Sequence, residues 1–115
     1  MNSLVLAYLG DAVFEFYVRD FLIKSGILKV KDLQKKSIEY VSAVNQAKIF
    51  DSLALNILTS KELEIAKRGR NAHSHASKTT DILTYKKSTG FETLVGYLYI
   101  NDKERLDCIM KEVLK

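Results

Sequence analysis

Apolar residues recur at helical spacing along the whole chain. Nothing reads as a strand, since there is no Asn-Gly or Asp-Gly hairpin pair and no sustained two-residue alternation. Asn2 or Ser3 can cap a first helix running to about Lys24, and Gly26 sits where a left-handed residue would stop it. Asp32 or a neighbour opens a second stretch, Leu33 to about Tyr40. Ser42 can cap a third, in which Ala43, Ala47, Phe50 and Leu53 recur on one face. Thr59 followed three residues later by Glu62 is a capping-box pattern, opening a helix through Leu63, Ala66 and Lys67 toward Arg70. Asn71 to Thr80 holds no large apolar residue and reads as an exposed connection, with Thr79 or Thr80 capping a short turn into the next helix. Ser88 then begins a strongly apolar helix to Ile100. Asn101 or Asp102 caps an amphipathic last helix bearing Leu106, Ile109, Met110, Val113 and Leu114, with Cys108 expected as a small buried side chain. Six or seven helices with short links predict an all-α bundle, one domain spanning residues 1–115.

Two helices in this pattern carry acids in unexpected company. From Met1 to Arg19 the only charged side chains before the arginine are Asp11 and Glu15, with Leu4, Val5, Leu6, Leu9, Val13, Phe14, Phe16 and Val18 around them. A helix apolar on every side is expected to be central and buried. Glu92 is likewise the only charge between Ser88 and Asn101. An ionised carboxylate held away from water costs several kcal/mol unless a cation or strong donors compensate it. Gly10 precedes Asp11, and Gly96 lies one turn beyond Glu92, so each helix has a place where another backbone can approach closely. If the helices cross there, Asp11 and Glu92 converge on one hard divalent ion, and magnesium suits such a pair of carboxylates. The competing reading is structural: Asp11 and Glu15 pair with bases such as Arg19, and Glu92 pairs or caps locally. The spacing leaves both open.

Composition narrows the class. With 115 residues, 47% hydrophobic and 28% charged, the chain is long enough for one real core and has no low-complexity tract. The apolar stretch Leu4 to Val18 is interrupted by acids and falls short of the roughly 20 residues a membrane span needs. No membrane association and a cytoplasmic location are expected, and the lone Cys108, unable to form an internal disulfide, fits a reducing compartment. The net charge of +4 is local. Residues 67–87 hold Lys67, Arg68, Arg70, Lys78, Lys86 and Lys87 against Asp81 alone, while the rest of the chain is close to balanced. Such a patch suits a polyanion, RNA or DNA first. His73 and His75 make a His-x-His pair in the polar connection, without a Cys or further His to complete a zinc site.

Three ordered segments then resemble one family. Leu6-Ala7-Tyr8-Leu9-Gly10-Asp11-Ala12-Val13 is similar to the signature helix of ribonuclease III domains, and Ser88-Thr89-Gly90-Phe91-Glu92-Thr93-Leu94-Val95-Gly96 to their second acidic helix. Between them, Lys67-Arg68-Gly69-Arg70-Asn71-Ala72 resembles the basic loop of the short bacterial subgroup called Mini-ribonuclease III, which lacks a separate double-stranded-RNA-binding domain. The resemblance spans nearly the whole chain. It implies a ribonuclease III endonuclease-domain fold and magnesium-dependent hydrolysis of double-stranded RNA, leaving 5′-phosphate and 3′-hydroxyl ends. It also implies the stem of the large-subunit (23S) ribosomal RNA precursor as substrate.

On the same basis Asp11 and Glu92 are the expected catalytic metal ligands, with Glu15 and Thr89 acting through water. Arg68, Arg70, Asn71, His73, Ser74, Lys78, Lys86 and Lys87 are the expected RNA contacts, gripping phosphates and 2′-hydroxyls across the minor groove. Tyr8 falls where the family inserts an aromatic into a partner subunit, which implies a twofold homodimer. The larger enzymes of the family carry a glutamate where this chain has Ala7 and an aspartate where it has Thr89, so a leaner metal site is implied. The chain begins only a few residues before the signature helix, where family members often carry a further segment. Two other classes remain: a catalytically silent RNA-binding dimer, which needs the basic loop without the acids, and a helical protein-interaction module, which needs neither.

Overall fold

A computed structural model describes residues 1–72 and 81–115 and contains six helices among them: α1 Ser3–Lys24, α2 Val30–Val41, α3 Ala43–Asn56, α4 Ser60–Asn71, α5 Ile82–Asn101 and α6 Lys103–Val113. Most ends follow local chemistry. Asn2 accepts from the Leu4 amide, Ser42 from Asn45, and Thr59 with Glu62 closes both halves of the capping box. Gly26, at φ 95°, turns the chain after α1 in the left-handed region that glycine tolerates best. Asp102 caps α6 by accepting from the Arg105 amide.

Two boundaries differ from the sequence expectation. α2 begins at Val30, with Lys29 at the cap position and no side-chain cap bond. α5 begins at Ile82, six residues before Ser88, because Asp81 accepts from both the Thr84 amide (2.9 Å) and its hydroxyl (2.7 Å). The turn expected ahead of α5 is its own first turn, and the expected caps Thr79 and Thr80 lie outside the described residues.

α5 is the central element. It packs against α1, α3, α4 and α6, and all its residues from Ser88 to Gly96 except Glu92 are buried. Phe14 of α1 and Phe91 of α5 meet edge to face, ring centroids 4.9 Å apart, both essentially without solvent exposure. Each such ring contributes about 2–3 kcal/mol by burial alone. Val18 and Leu22, Phe50 and Leu53, and Leu106, Ile109 and Met110 complete the core from α1, α3 and α6.

α1 corrects an expectation. Its apolar surroundings suggested burial on every side, yet Val5, Tyr8, Phe16 and Ile23 are exposed, Tyr8 at 85%. With Ala12 they form a nearly lengthwise stripe, interrupted by Arg19 between Phe16 and Ile23, opposite the face that meets α5. Cys108 is also corrected: it is exposed. Two positions past Leu106 is about 200° around a helix, which carries Cys108 to the outer side while Leu106, Ile109 and Met110 turn inward.

Candidate active site

The crossing of α1 and α5 is the closest helix approach around the two acids. A Cβ on Gly10 would overlap the Glu92 carbonyl oxygen and lie 2.7 Å from the Glu92 carbonyl carbon; one on Gly96 would overlap the Leu6 carbonyl oxygen. Ordinary side chains at these places would force the backbones apart. The two glycines therefore set the height of the crossing, and Asp11 follows Gly10 directly.

At this crossing the side chains of Asp11 and Glu92 meet within hydrogen-bond reach. Asp11 is exposed and Glu92 half-buried, so the acids sit at the rim of the core and not, as the sequence suggested, both inside it. The Glu92 carboxyl is pushed up to about 8, first by burial, then by the hydrogen bond its protonated form makes to Asp11 and by the charge of Asp11. The nearby Gln46 amide acts in the opposite direction.

Among the described residues neither Asp11 nor Glu92 takes part in an ion pair with Lys, Arg or His. Two adjacent carboxylates without a cation fit a hard divalent ion, which relieves both the mutual repulsion and the desolvation. The described residues contain no group of three or more His, Cys, Asp or Glu able to close a cage. Such a site leaves most of the coordination sphere to water and substrate oxygens, as suits magnesium more than zinc.

The remaining expected residues scatter. Glu15, one turn beyond Asp11, pairs with Arg19 at 3.1 Å, so the local pairing weighed for both α1 acids holds for this one. Thr89 is buried, and its hydroxyl donates to the Tyr85 carbonyl at 3.1 Å. Arg68 pairs with Glu64 on the outer side of α4. Arg70 lies over the Phe50 ring, 5.9 Å from its centroid, and its Nε donates to Asn71. Lys87 is engaged by Asp51 at 2.9 Å, whereas Lys86 is exposed. His73, Ser74 and Lys78 lie outside the described residues. A shallow concavity of about 760 Å³, lined by Ser3, Ser60, Leu63, Glu64, Lys67, Arg68 and Asn71, contains neither Asp11 nor Glu92.

Sequence reasoning missed Gln46. It lies three residues after Ala43 and four before Phe50, on the inward face of α3, at 2% exposure. A long polar side chain at a core register was the available signal.

Comparison with known proteins identifies the family. Residues 4–103 match the model of the Ribonuclease III domain family. The chain is 44% identical to Mini-ribonuclease 3 of Enterococcus faecalis, covering 100% of this chain and 89% of that protein. It is 46% identical to Mini-ribonuclease 3 of Symbiobacterium thermophilum, covering 96% and 86%. A crystal structure of a Fusobacterium nucleatum protein superposes with a TM-score of 0.85 at 27% identity, covering 98% of this chain and 91% of that one. The chain belongs to the ribonuclease III domain family, in its short Mini-ribonuclease 3 branch, and is an endoribonuclease.

Proposed function

We propose that this endoribonuclease cuts double-stranded RNA with magnesium, leaving 5′-phosphate and 3′-hydroxyl ends, in maturation of the large-subunit ribosomal RNA precursor. In this reading residues 1–115 act as one endonuclease domain in the cytoplasm, as a homodimer. The observation that carries it is the meeting of Asp11 and Glu92 beside two glycines, with neither acid in an ion pair among the described residues.

Asp11 and Glu92 would hold the ion, each supplying carboxylate oxygens from a different helix. Bound there, a magnesium ion supplies an activated water and offsets charge on the phosphate being attacked. Glu92 must give up its proton before it can serve as a ligand, which ties metal affinity to pH. Gly10 and Gly96 keep the two carboxylates at a fixed separation, so the ligands need little rearrangement on binding. Lys67, Arg68, Arg70, Asn71 and Lys86, with His73, Ser74, Lys78 and Lys87, supply the backbone contacts a duplex requires. Such contacts weaken steeply with salt.

The dimer part of the proposal rests on the outer stripe of α1. Tyr8, Ala12, Phe16 and Ile23 form an exposed apolar row. It borders a groove of about 460 Å³ between α1 and α2, lined by Ile23, Val30, Leu33, Ile38 and Val41 among others. A contiguous exposed apolar surface on a small chain is expected to be covered, and a twofold axis would place two cutting sites on one duplex.

The test is incubation with a double-stranded RNA at low salt, with and without magnesium, beside Asp11→Asn and Glu92→Gln. Magnesium-dependent cutting that both variants lose supports the proposal. Binding without cutting points to an RNA scaffold, and cutting that survives both substitutions removes these acids from the chemistry.

A further inference from the structure

Three of the lysines and arginines among the described residues are half-buried: Arg70, Lys87 and Arg105. Lys87 meets Asp51 at 2.9 Å and Arg105 meets Glu62 at 2.8 Å, so two of the three have an acid against them. Arg70 has none among the described residues, and residues 73–80 hold no Asp or Glu that could serve. A guanidinium drawn partly out of water without an anion needs another source of compensation.

Part of that compensation is the ring of Phe50. The Arg70 guanidinium carbon lies 5.9 Å from the centroid of this buried ring, within range for a cation over an aromatic face. Gly90 makes the arrangement possible. A Cβ there would stand 2.7 Å from the Ala66 carbonyl oxygen, 2.8 Å from a Phe50 ring carbon and 3.2 Å from the Arg70 Cβ. A methyl would therefore push the last turn of α4, and Arg70 with it, away from the ring. The Arg70 Nε donates to Asn71 Oδ1 at 3.2 Å, which orients the amide and leaves its Nδ2 as a donor. Both Nη groups of Arg70 are without an acceptor among the described residues, and Asn71 lines the concavity of about 760 Å³ beside α4. Ring, glycine and amide thus hold a cation whose two NH2 groups remain available.

Resting on the reading of the chain as a double-stranded-RNA endonuclease, we infer that Arg70 and Asn71 form a preset seat for one phosphate of the duplex, with Phe50 and Gly90 as the positioning residues behind it. The planar fork of an arginine matches two phosphate oxygens at once, and a side chain already fixed loses little freedom on binding. Arg68 and Lys87 differ, because each is held by an acid that a phosphate would have to displace. A phosphate seat sets the register of the backbone and reads no sequence.

The test is binding of a double-stranded RNA oligonucleotide to the full chain without divalent metal, so that nothing is cut, over a series of salt concentrations. Arg70→Gln should weaken binding about tenfold at low salt. It should also reduce the slope of log affinity against log salt by about one, as expected when one phosphate contact is lost. In cleavage assays with magnesium the loss should appear in KM, equally for duplexes of different sequence. Phe50→Leu keeps the charge and loosens its placement, so its slope should stay native while affinity falls about threefold. An arginine that merely packs on α3 predicts a lower unfolding temperature with native slope and affinity in Arg70→Gln, and that result overturns the inference. A loss confined to kcat would mean that Arg70 serves the chemistry and not the grip, and overturns it too. Native affinity in folded Phe50→Leu overturns the part given to the ring. If the native chain neither binds nor cuts double-stranded RNA, the reading of function and this inference fall together; native binding with an unchanged slope in Arg70→Gln sinks the inference alone.

Discussion

Glu62 and Glu92 are the two glutamates drawn into the body of the molecule, and they are treated in opposite ways. Glu62 is 7% exposed and fully matched. Arg105 donates to it twice, Nε at 2.8 Å and Nη2 at 2.9 Å, and the Thr59 amide donates a third bond at 2.9 Å. The same Nη2 reaches the Ile57 carbonyl, so one arginine ties α6 to the α3–α4 corner. These donors hold the Glu62 carboxyl below its ordinary range, the Arg105 bond foremost. Glu92 faces another acid and rises to about 8. Where an acid serves the fold, the chain places a cation against it. Where it serves the site, the cation is left to come from solution.

The largest way to break this contrast is at the site. Asp11→Asn or Glu92→Gln should lower cleavage by more than about a hundredfold, since even groups that only orient a metal ligand cost about 10–100-fold. Above about pH 8, where both carboxyls are ionised, the unfolding temperature without metal should hold or rise by about 2–5 °C, because a like-charge contact disappears. Initial cleavage rates and thermal unfolding check both halves; a marked fall in stability would mean that these acids support the fold.

Gly10→Ala or Gly96→Ala should follow. A methyl at either place overlaps the facing backbone and must push α1 from α5, at a cost of about 3 kcal/mol. Cleavage should fall along with stability because Asp11 moves away from Glu92. Denaturant titration and cleavage by the folded fraction are the measurements, and full activity in the folded fraction would show that the separation is not critical.

Arg105→Leu should cost about 2–3 kcal/mol, somewhat below the usual price of stranding a buried ion, because Arg105 is partly exposed. Activity per folded molecule should remain native. A variant that folds well but cuts poorly would erase the distinction between the two glutamates.

The most gradual effect is in pH. Glu92 has a raised carboxyl, so the stability it contributes is fully present below its ordinary value of 4.5 and is lost as pH rises to about 8. Glu62 has a lowered carboxyl, so its contribution is present above 4.5 and is lost as pH falls through its folded value. Urea unfolding of the metal-free protein between pH 5 and pH 8.5 should show a decline on the alkaline side that vanishes in Glu92→Gln. Magnesium affinity should climb over the same interval.

Much of this was legible along the chain because it is local. Caps at Asn2, Ser42, Thr59 and Asp102, the turn at Gly26, and the glycines beside Asp11 and Glu92 each depend on residues a few positions apart. The start of α5 was misplaced because Asp81 lies ahead of a turn whose Ile82 and Leu83 face solvent and break the apolar period. Cys108 was misplaced because a small side chain carries little periodic signal against Leu106 and Ile109. Arg105 as the partner of Glu62 was out of reach, 43 positions away along the chain.

By itself, then, the sequence determined an all-helical chain, most of its capped helix ends and the membership of Asp11 and Glu92 in two apolar helices, since spacing and capping act within a turn or two. Tertiary structure alone decided which apolar helix is central, which face of α1 stays in water, that Glu62 finds a base while Glu92 finds Asp11, and that no methyl fits between α1 and α5. The reason is physical: compensation of a charge depends on what lies within a few ångströms in space, and separation along the chain says little about that.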